Sequence, residues 1–280
     1  MNERRNGVLA PVSTAIFLVF VGARAVAGGL VDTSPERFMA SDFTTYPSDD
    51  ITNAWWTLPA GANFLYFSEE GDECAWNLVE VLEMSTDNFF DVYEGTDARI
   101  VLDREWVVDD CGMEWEDVLA AATDGDDPLL PDEITYDWYA QDADANIWYM
   151  GEDTRDSEGS SEGSFVAGCD GAEAGIVMLG DPAKGDFYRQ EFYEDEAEDW
   201  GKVLNFVEME GDVCLKTKEW TSIERGNIEH KFYCSDGDSG ELSMIEELKG
   251  KTVVAYLIDR DVAAPPMPAA PPSPIPACEL

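Results

Sequence analysis

The sequence predicts a mainly β protein: an antiparallel curved sheet, a sandwich or a partly open barrel, with one or two short helices. Three observations predict it. Runs of four to eight residues alternate with period two, so that every second side chain shares a face. Those runs are rich in β-branched and aromatic residues, which suit a pleated surface. Helical spacing is rare.

Taken in chain order, Arg4 and Arg5 precede an apolar run from Val12 to Ala23, and Ala25-Val26-Ala27 then offers small residues before Gly28. This pattern predicts a signal peptide over residues 1–27, since the run is too short to span a bilayer comfortably. Residues 28–48 read as a loose leader. The β domain is expected over 49–262. Within it, Asn63 to Phe67, Arg99 to Val108, Ile134 to Gln141, Asp186 to Tyr193, Lys202 to Met209 and Lys251 to Asp259 read as strands. Val203, Asn205 and Val207 line up on one face of theirs. Glu114 to Ala122 is the best helix, with Trp115, Val118 and Leu119 at helical spacing. Gly151 to Ser164 reads as a polar loop. Residues 263–280 form a proline-rich tail, expected to be extended and solvated.

Composition bounds the function. Apolar residues make up 45% and aromatics 11%, enough for a packed core. Sixty acids face 17 lysines and arginines, for a net charge of −43. Loss of residues 1–27, which hold three arginines and one glutamate, would take this to −45. Such a field repels nucleic acid and anionic membranes, and attracts divalent cations, minerals and basic proteins. No later stretch predicts a transmembrane segment. Cys74, Cys111, Cys169, Cys214, Cys234 and Cys278 all follow the predicted cleavage point, and an even count in an exported chain predicts disulfides. Six cysteines allow fifteen pairings, which the sequence leaves open.

Four segments, DITNAWWTLPAGANFLYF, YDWYAQDADANIWYMGEDT, GDPAKGDFYRQEFYEDEAEDW and TKEWTSIERGNIEHKFYC, together resemble a family of secreted, β-rich bacterial proteins. That family carries a YDWYAQD…GNxWYxGED hairpin and an EHKxYY segment. The resemblance spans roughly residues 50 to 234. The chain departs where Ala145 precedes Asn146, a place where the family tends to have glycine. The six cysteines and the proline tail are further departures. No activity is attached to the family, so the resemblance implies fold and export and carries over no catalytic residue.

Of the chemical motifs, Gly237-Asp238-Ser239-Gly240 looks like a serine nucleophile segment. A nucleophilic serine needs a positioned base. The single histidine, His230, lies on a strand only nine residues upstream, so an acidic turn is the better reading. Three Asp-x-Asp turns are candidate calcium sites: Asp124 with Asp126, Asp142 with Asp144, and Asp236 with Asp238. Calcium takes six to eight oxygens, which alternate carboxylates on one loop can supply. Asp142, Asp144, Asn146 and Asp153 stand at positions 1, 3, 5 and 12 of a calcium-loop frame. Ile147 replaces the glycine that an EF-hand needs at position 6, so a hairpin turn is expected, with or without a calcium ion. The aromatic set Trp55, Trp56, Trp138, Trp148, Tyr136 and Tyr149 is either core or a ligand platform.

The first expectation is therefore a secreted, extracytoplasmic acidic protein that takes divalent cations, calcium first, on its turns. It would act at a mineral, polysaccharide or cell-wall surface. The alternative is a β-cup carrying a small apolar or sugar ligand, with acidity serving only solubility in salt. The third is a carboxylate-dependent hydrolase, which requires a buried Asp/Glu pair in a cleft.

Overall fold

Alternating strands joined by short turns build a single meander that closes on itself. The computed structural model describes residues 28–43, 50–71, 73–85, 96–209, 211–235, 242–250 and 252–266. The chain begins with α1 (Pro35–Ala40), β1 (Asp50–Thr52), β2 (Thr57–Pro59), β3 (Asn63–Glu70), β4 (Glu73–Ser85) and β5 (Ala98–Val108). Next come α2 (Trp115–Ala122), β6 (Glu133–Gln141), β7 (Ile147–Asp156), β8 (Phe165–Val166), β9 (Glu173–Met178), β10 (Phe187–Arg189) and β11 (Glu191–Phe192). It finishes with β12 (Asp199–Met209), β13 (Asp212–Thr221), β14 (Ile228–Ser235), β15 (Leu242–Lys249) and β16 (Thr252–Arg260).

β1 and β2 form a separate hairpin sheet. The main sheet runs β10-β12-β13-β14-β15-β16-β3-β4-β5-β6-β7-β9-β11, with β8 beside β7. Every pairing is antiparallel. The two ends of this order, β10 and β11, are consecutive in the chain, with only Gln190 between them. Residues 187–189 pair with β12, and residues 191–192 pair with β9. One segment thus switches partners and draws the sheet into a nearly closed barrel. The run from Asp186 to Tyr193, expected to be one strand, is divided at Gln190 for this reason.

Two glycines make the closure possible. A Cβ on Gly175 would lie 2.4 Å from the Gln190 backbone, and one on Gly201 would lie 2.6 Å from the Tyr188 ring. A real side chain fits neither position.

The barrel buries side chains on both faces. In β6, seven consecutive residues, Thr135 to Gln141, are buried. On the outside, α2 sets Trp115 and Val118 over a layer formed by Leu65, Trp76, Leu78 and Trp106. The Trp115 ring centroid is 5.5 Å from that of Trp106. α1 starts at Ser34, whose side chain accepts from the Arg37 amide, and continues through Pro35. A side-chain cap and an N-terminal proline are favourable starts. Its Phe38 packs edge-on against Trp148, with centroids 5.1 Å apart.

Disulfides join Cys74 to Cys111 and Cys214 to Cys234, and Cys169 is disulfide-bonded as well. The first two close sequence separations of 37 and 20 residues. Each stabilises the fold by about 3–4 kcal/mol on loop-closure entropy.

Several boundaries differ from the sequence reading. The leader is folded through Phe43: the Val31 amide donates to the Phe187 carbonyl at 2.9 Å, and Phe38 is buried. Residues 151–156 belong to β7, so the polar loop is shorter than expected. A bulge between Val203 and Asn205 breaks their shared face. The start of the tail is docked rather than solvated. The Val262 amide donates to Asn63 Oδ1 at 2.8 Å, Trp115 Nε1 donates to the Ala263 carbonyl at 3.3 Å, and Arg104 donates to the Pro265 and Pro266 carbonyls. The predicted signal peptide and residues 267–280 lie outside the described residues. No described helix is long and apolar enough to cross a membrane.

Candidate functional site

The acidic turns come first, because the sequence singled them out. The β6–β7 hairpin turn is organised by Asp142, which is 1% exposed. Its Oδ1 accepts from the Asp144 amide at 3.0 Å and the Asn146 amide at 2.9 Å. Its Oδ2 accepts from Asn146 Nδ2 at 3.0 Å and from Trp148 Nε1 at 2.9 Å. A carboxylate accepting several N–H bonds is fully satisfied by protein donors. Asn146 Oδ1 accepts in turn from the Gly180 amide. Ala145 takes φ 63°, a left-handed conformation that glycine adopts without strain.

Asp144 is exposed and pairs with Arg37 at 3.0 Å. Asp153 is buried well along β7, where it pairs with Arg155 at 2.6 Å. It lies six residues beyond Ile147 at the turn, or about 20 Å along extended chain. The structure therefore brings Asp142, Asp144 and Asn146 together and leaves Asp153 apart. Asp124 and Asp126 are exposed after α2, with the Asp124 side chain accepting from the Asp126 amide at 2.9 Å. Asp236, Asp238 and Ser239 lie outside the described residues. No group of three or more His, Cys, Asp or Glu arranged to hold a metal ion occurs among the described residues.

The interior holds a different cluster. Cross-strand partners share a face. Pairing therefore sets Asp137 on β6 beside Glu152 on β7, Glu219 on β13 beside Glu229 on β14, and Asp199 on β12 beside Thr221 on β13. β11 adds Glu191 and β14 adds Lys231. Two adjoining cavities, of about 270 and about 180 Å³, share Glu191, Asp199, Glu219 and Lys231. The smaller one is walled by Trp56, Tyr139, Tyr149 and Tyr233. Tyr139 and Tyr149 stack with centroids 5.0 Å apart, and Trp56 meets Tyr139 edge-on at 5.2 Å.

Within this site the charges are unequal. Lys231 pairs with Glu219 at 3.1 Å and lies 3.8 Å from both Glu229 and Glu247. Burial disfavours its ammonium, yet these glutamates hold its pKa well above the ordinary lysine value. Glu219 also accepts from Thr217 Oγ1 at 2.9 Å. Glu191 has no ion-pair partner among the described residues. Burial first, and then the charges of Glu152, Asp199 and Asp137, raise its pKa well above the usual carboxylate range. Burial also raises Asp199.

The most tightly joined group is Asp137–Tyr149–Glu152. The Tyr149 hydroxyl lies 2.5 Å from Asp137 Oδ1 and 2.7 Å from Glu152 Oε2. A phenol has one proton to donate. Two short bonds to two carboxyls therefore need a second proton, carried by one of them. Burial, followed by the charge of Glu152, raises Asp137 well above its ordinary value, and burial pushes Glu152 up to about 7. The two carboxyl oxygens are at most about 5.2 Å apart by these contacts. The pair is thus no wider than the roughly 5–5.5 Å used by retaining glycosidases. Here the Tyr149 oxygen fills the space between them, where a scissile bond would sit.

The expected aromatic set is divided. Trp138 and Trp148 are core, Trp55 packs against Phe206, and only Trp56 and Tyr149 reach the cavity. The sequence reading missed Glu191, Asp199, Glu219 and Lys231. Their signal was a charge set beside aromatics within a strand pattern, as in YDWY, RQEFY, KEW and HKFY.

No family profile, no characterised protein and no solved structure matches this chain.

Proposed function

We propose that this is an extracytoplasmic binding protein whose barrel interior takes a small organic cation, a protonated amine or guanidinium. One observation carries the reading: buried carboxylates in excess of cations, beside aromatic rings, around a cavity. An isolated charge in such a place is costly, so it protonates or meets a counter-charge. The single lysine is already paired with Glu219. That leaves Glu191 and Asp199 for a ligand ammonium, beside the aromatic rings of Trp56 and Tyr139, whose faces attract cations. Cavities of 180 and 270 Å³ suit a ligand smaller than a typical drug. The disulfides fit an oxidising compartment, in line with the signal sequence expected for residues 1–27.

Thermal unfolding of the oxidised protein tests this, with 1,4-diaminobutane, calcium chloride and sodium chloride compared at equal ionic strength. A ligand that binds only the folded state raises stability by mass action. The diamine is expected to raise Tm above both salts, and Glu191→Gln is expected to remove the difference. An equal response to all three would refute the reading. A calcium-specific rise removed by Asp144→Asn would assign cation binding to the acidic turns instead.

A further inference from the structure

On the opposite face of the same strands the charge is reversed. Gly201, Glu219 and Glu229 point inward, so their chain neighbours point outward. One cross-strand row is Phe187–Lys202–Lys218, and register places His230 next in line. The row beside it is Arg189–Trp200–Trp220. Lys216 adds a further cation, opposite Phe232. Trp200, Lys202, Lys216, Lys218, Trp220 and His230 are all partly exposed.

The chain has 17 lysines and arginines against sixty acids, yet these rows hold no acid. Acids flank the face at its edges: Glu246 lies opposite Phe232, Glu173 is ion-paired with Arg189, Glu198 lies near Arg189, and Asp32 and Glu36 share a cleft with Trp200 and Arg189, so the lysine row is the part free of acids. Trp200 and Trp220 lie almost parallel, with an interplanar angle of 11° and centroids 6.4 Å apart. The Lys218 ammonium sits 4.8 Å from the Trp220 centroid, and Lys216 sits 4.8 Å from that of Phe232. Lys216 and Lys218 also lie close enough to His230 to lower its pKa, after burial.

We propose that this outer face binds an anionic polysaccharide, with Trp200 and Trp220 against sugar rings and Lys202, Lys216 and Lys218 on carboxylate or sulfate groups. The site adjoins the larger interior cavity, which Trp220 also borders, but its lysines lie outside that cavity and the proposal does not depend on the amine reading. Adjacent flat indoles present an apolar surface to the C–H face of a sugar, while ammonium groups beside them select for acidic substituents. The net charge of the molecule narrows the choice of polyanion. Duplex DNA carries one charge per about 1.7 Å of axis and is strongly repelled by an acidic protein. A polyuronate carries one charge per sugar ring. At physiological ionic strength fields fade over about 8 Å, so the local lysines dominate at contact.

Affinity electrophoresis in gels containing polygalacturonate, neutral dextran or single-stranded DNA tests the proposal, with thermal melts as the check on folding. Retardation by polygalacturonate, with none by dextran, is expected. Lys202→Gln with Lys218→Gln is expected to weaken binding about fivefold to tenfold, given modest exposed charge pairs. Trp200→Ala is expected to weaken it as well, and Lys249→Gln, on a different strand pair, to leave it unchanged. No retardation by polygalacturonate would overturn the proposal. So would unchanged binding in well-folded lysine and tryptophan variants, or retardation by DNA alone.

Discussion

At the scale of single residues, Asp142 is a structural carboxylate. It gathers the amides of Asp144 and Asn146, the Asn146 side chain and the Trp148 indole. Asp142→Ala would leave those buried donors without an acceptor, at about 1–3 kcal/mol for each unsatisfied group. We expect the variant to lose about 3–5 kcal/mol in urea unfolding, by the same amount with and without calcium. The sequence made this turn legible, because Asp and Asn beside a reversal bond their own backbone. It also suggested a calcium frame reaching to Asp153, which the structure sets apart from the turn because residues after the turn run away from it along β7. Asp137, Glu191 and Glu219 gave the opposite problem. Each looks like an ordinary solvated acid until strand pairing assigns it to the inside.

At the scale of elements, the strands with clean alternation were legible, and so was α2. β4 and β13 were not, because each mixes charges into its run: ECAWNLVEVLEMS and DVCLKTKEWT. Their charged positions are tolerated because one face of each strand meets solvent, an acid cluster or an ion pair. The partner switch at Gln190 was also hidden. Period-two alternation continues through it, and only the positions of Gly175 and Gly201 on neighbouring strands explain it. Gly201→Ala would drive a methyl into the Tyr188 ring at the barrel seam. A cost of about 1–3 kcal/mol is expected, as for other overpacked sites. Gly125→Ala, where a new Cβ meets nothing within 4 Å, should stay within about 0.5 kcal/mol of wild type. Circular-dichroism melts of the two variants make the comparison.

At the scale of the whole molecule, buried acids set the response to pH. Burial raises Asp103 and Glu152 to about 7, and raises Asp137 and Glu191 well above their ordinary values. A carboxyl with a raised folded pKa binds its proton more tightly when folded. Its contribution is full below the unfolded value, near 4, and is lost as pH rises through the folded one. Tm should therefore fall between about pH 4.5 and pH 8. Asp137→Asn should flatten that fall, and a Tm independent of pH across the window would contradict the assignment. The order of strands also governs when folding can finish. β16, the last strand of the sheet, is the stave between β15 and β3, and Asn63 bonds to Val262 at a separation of 199 residues. Contacts so distant in sequence slow folding. During synthesis β3 waits with one edge unpaired until residue 260 has emerged, so no shorter nascent chain can complete the ring. Assembly is a late event that needs nearly all of the described chain at once, and the Asn63–Val262 latch marks its completion.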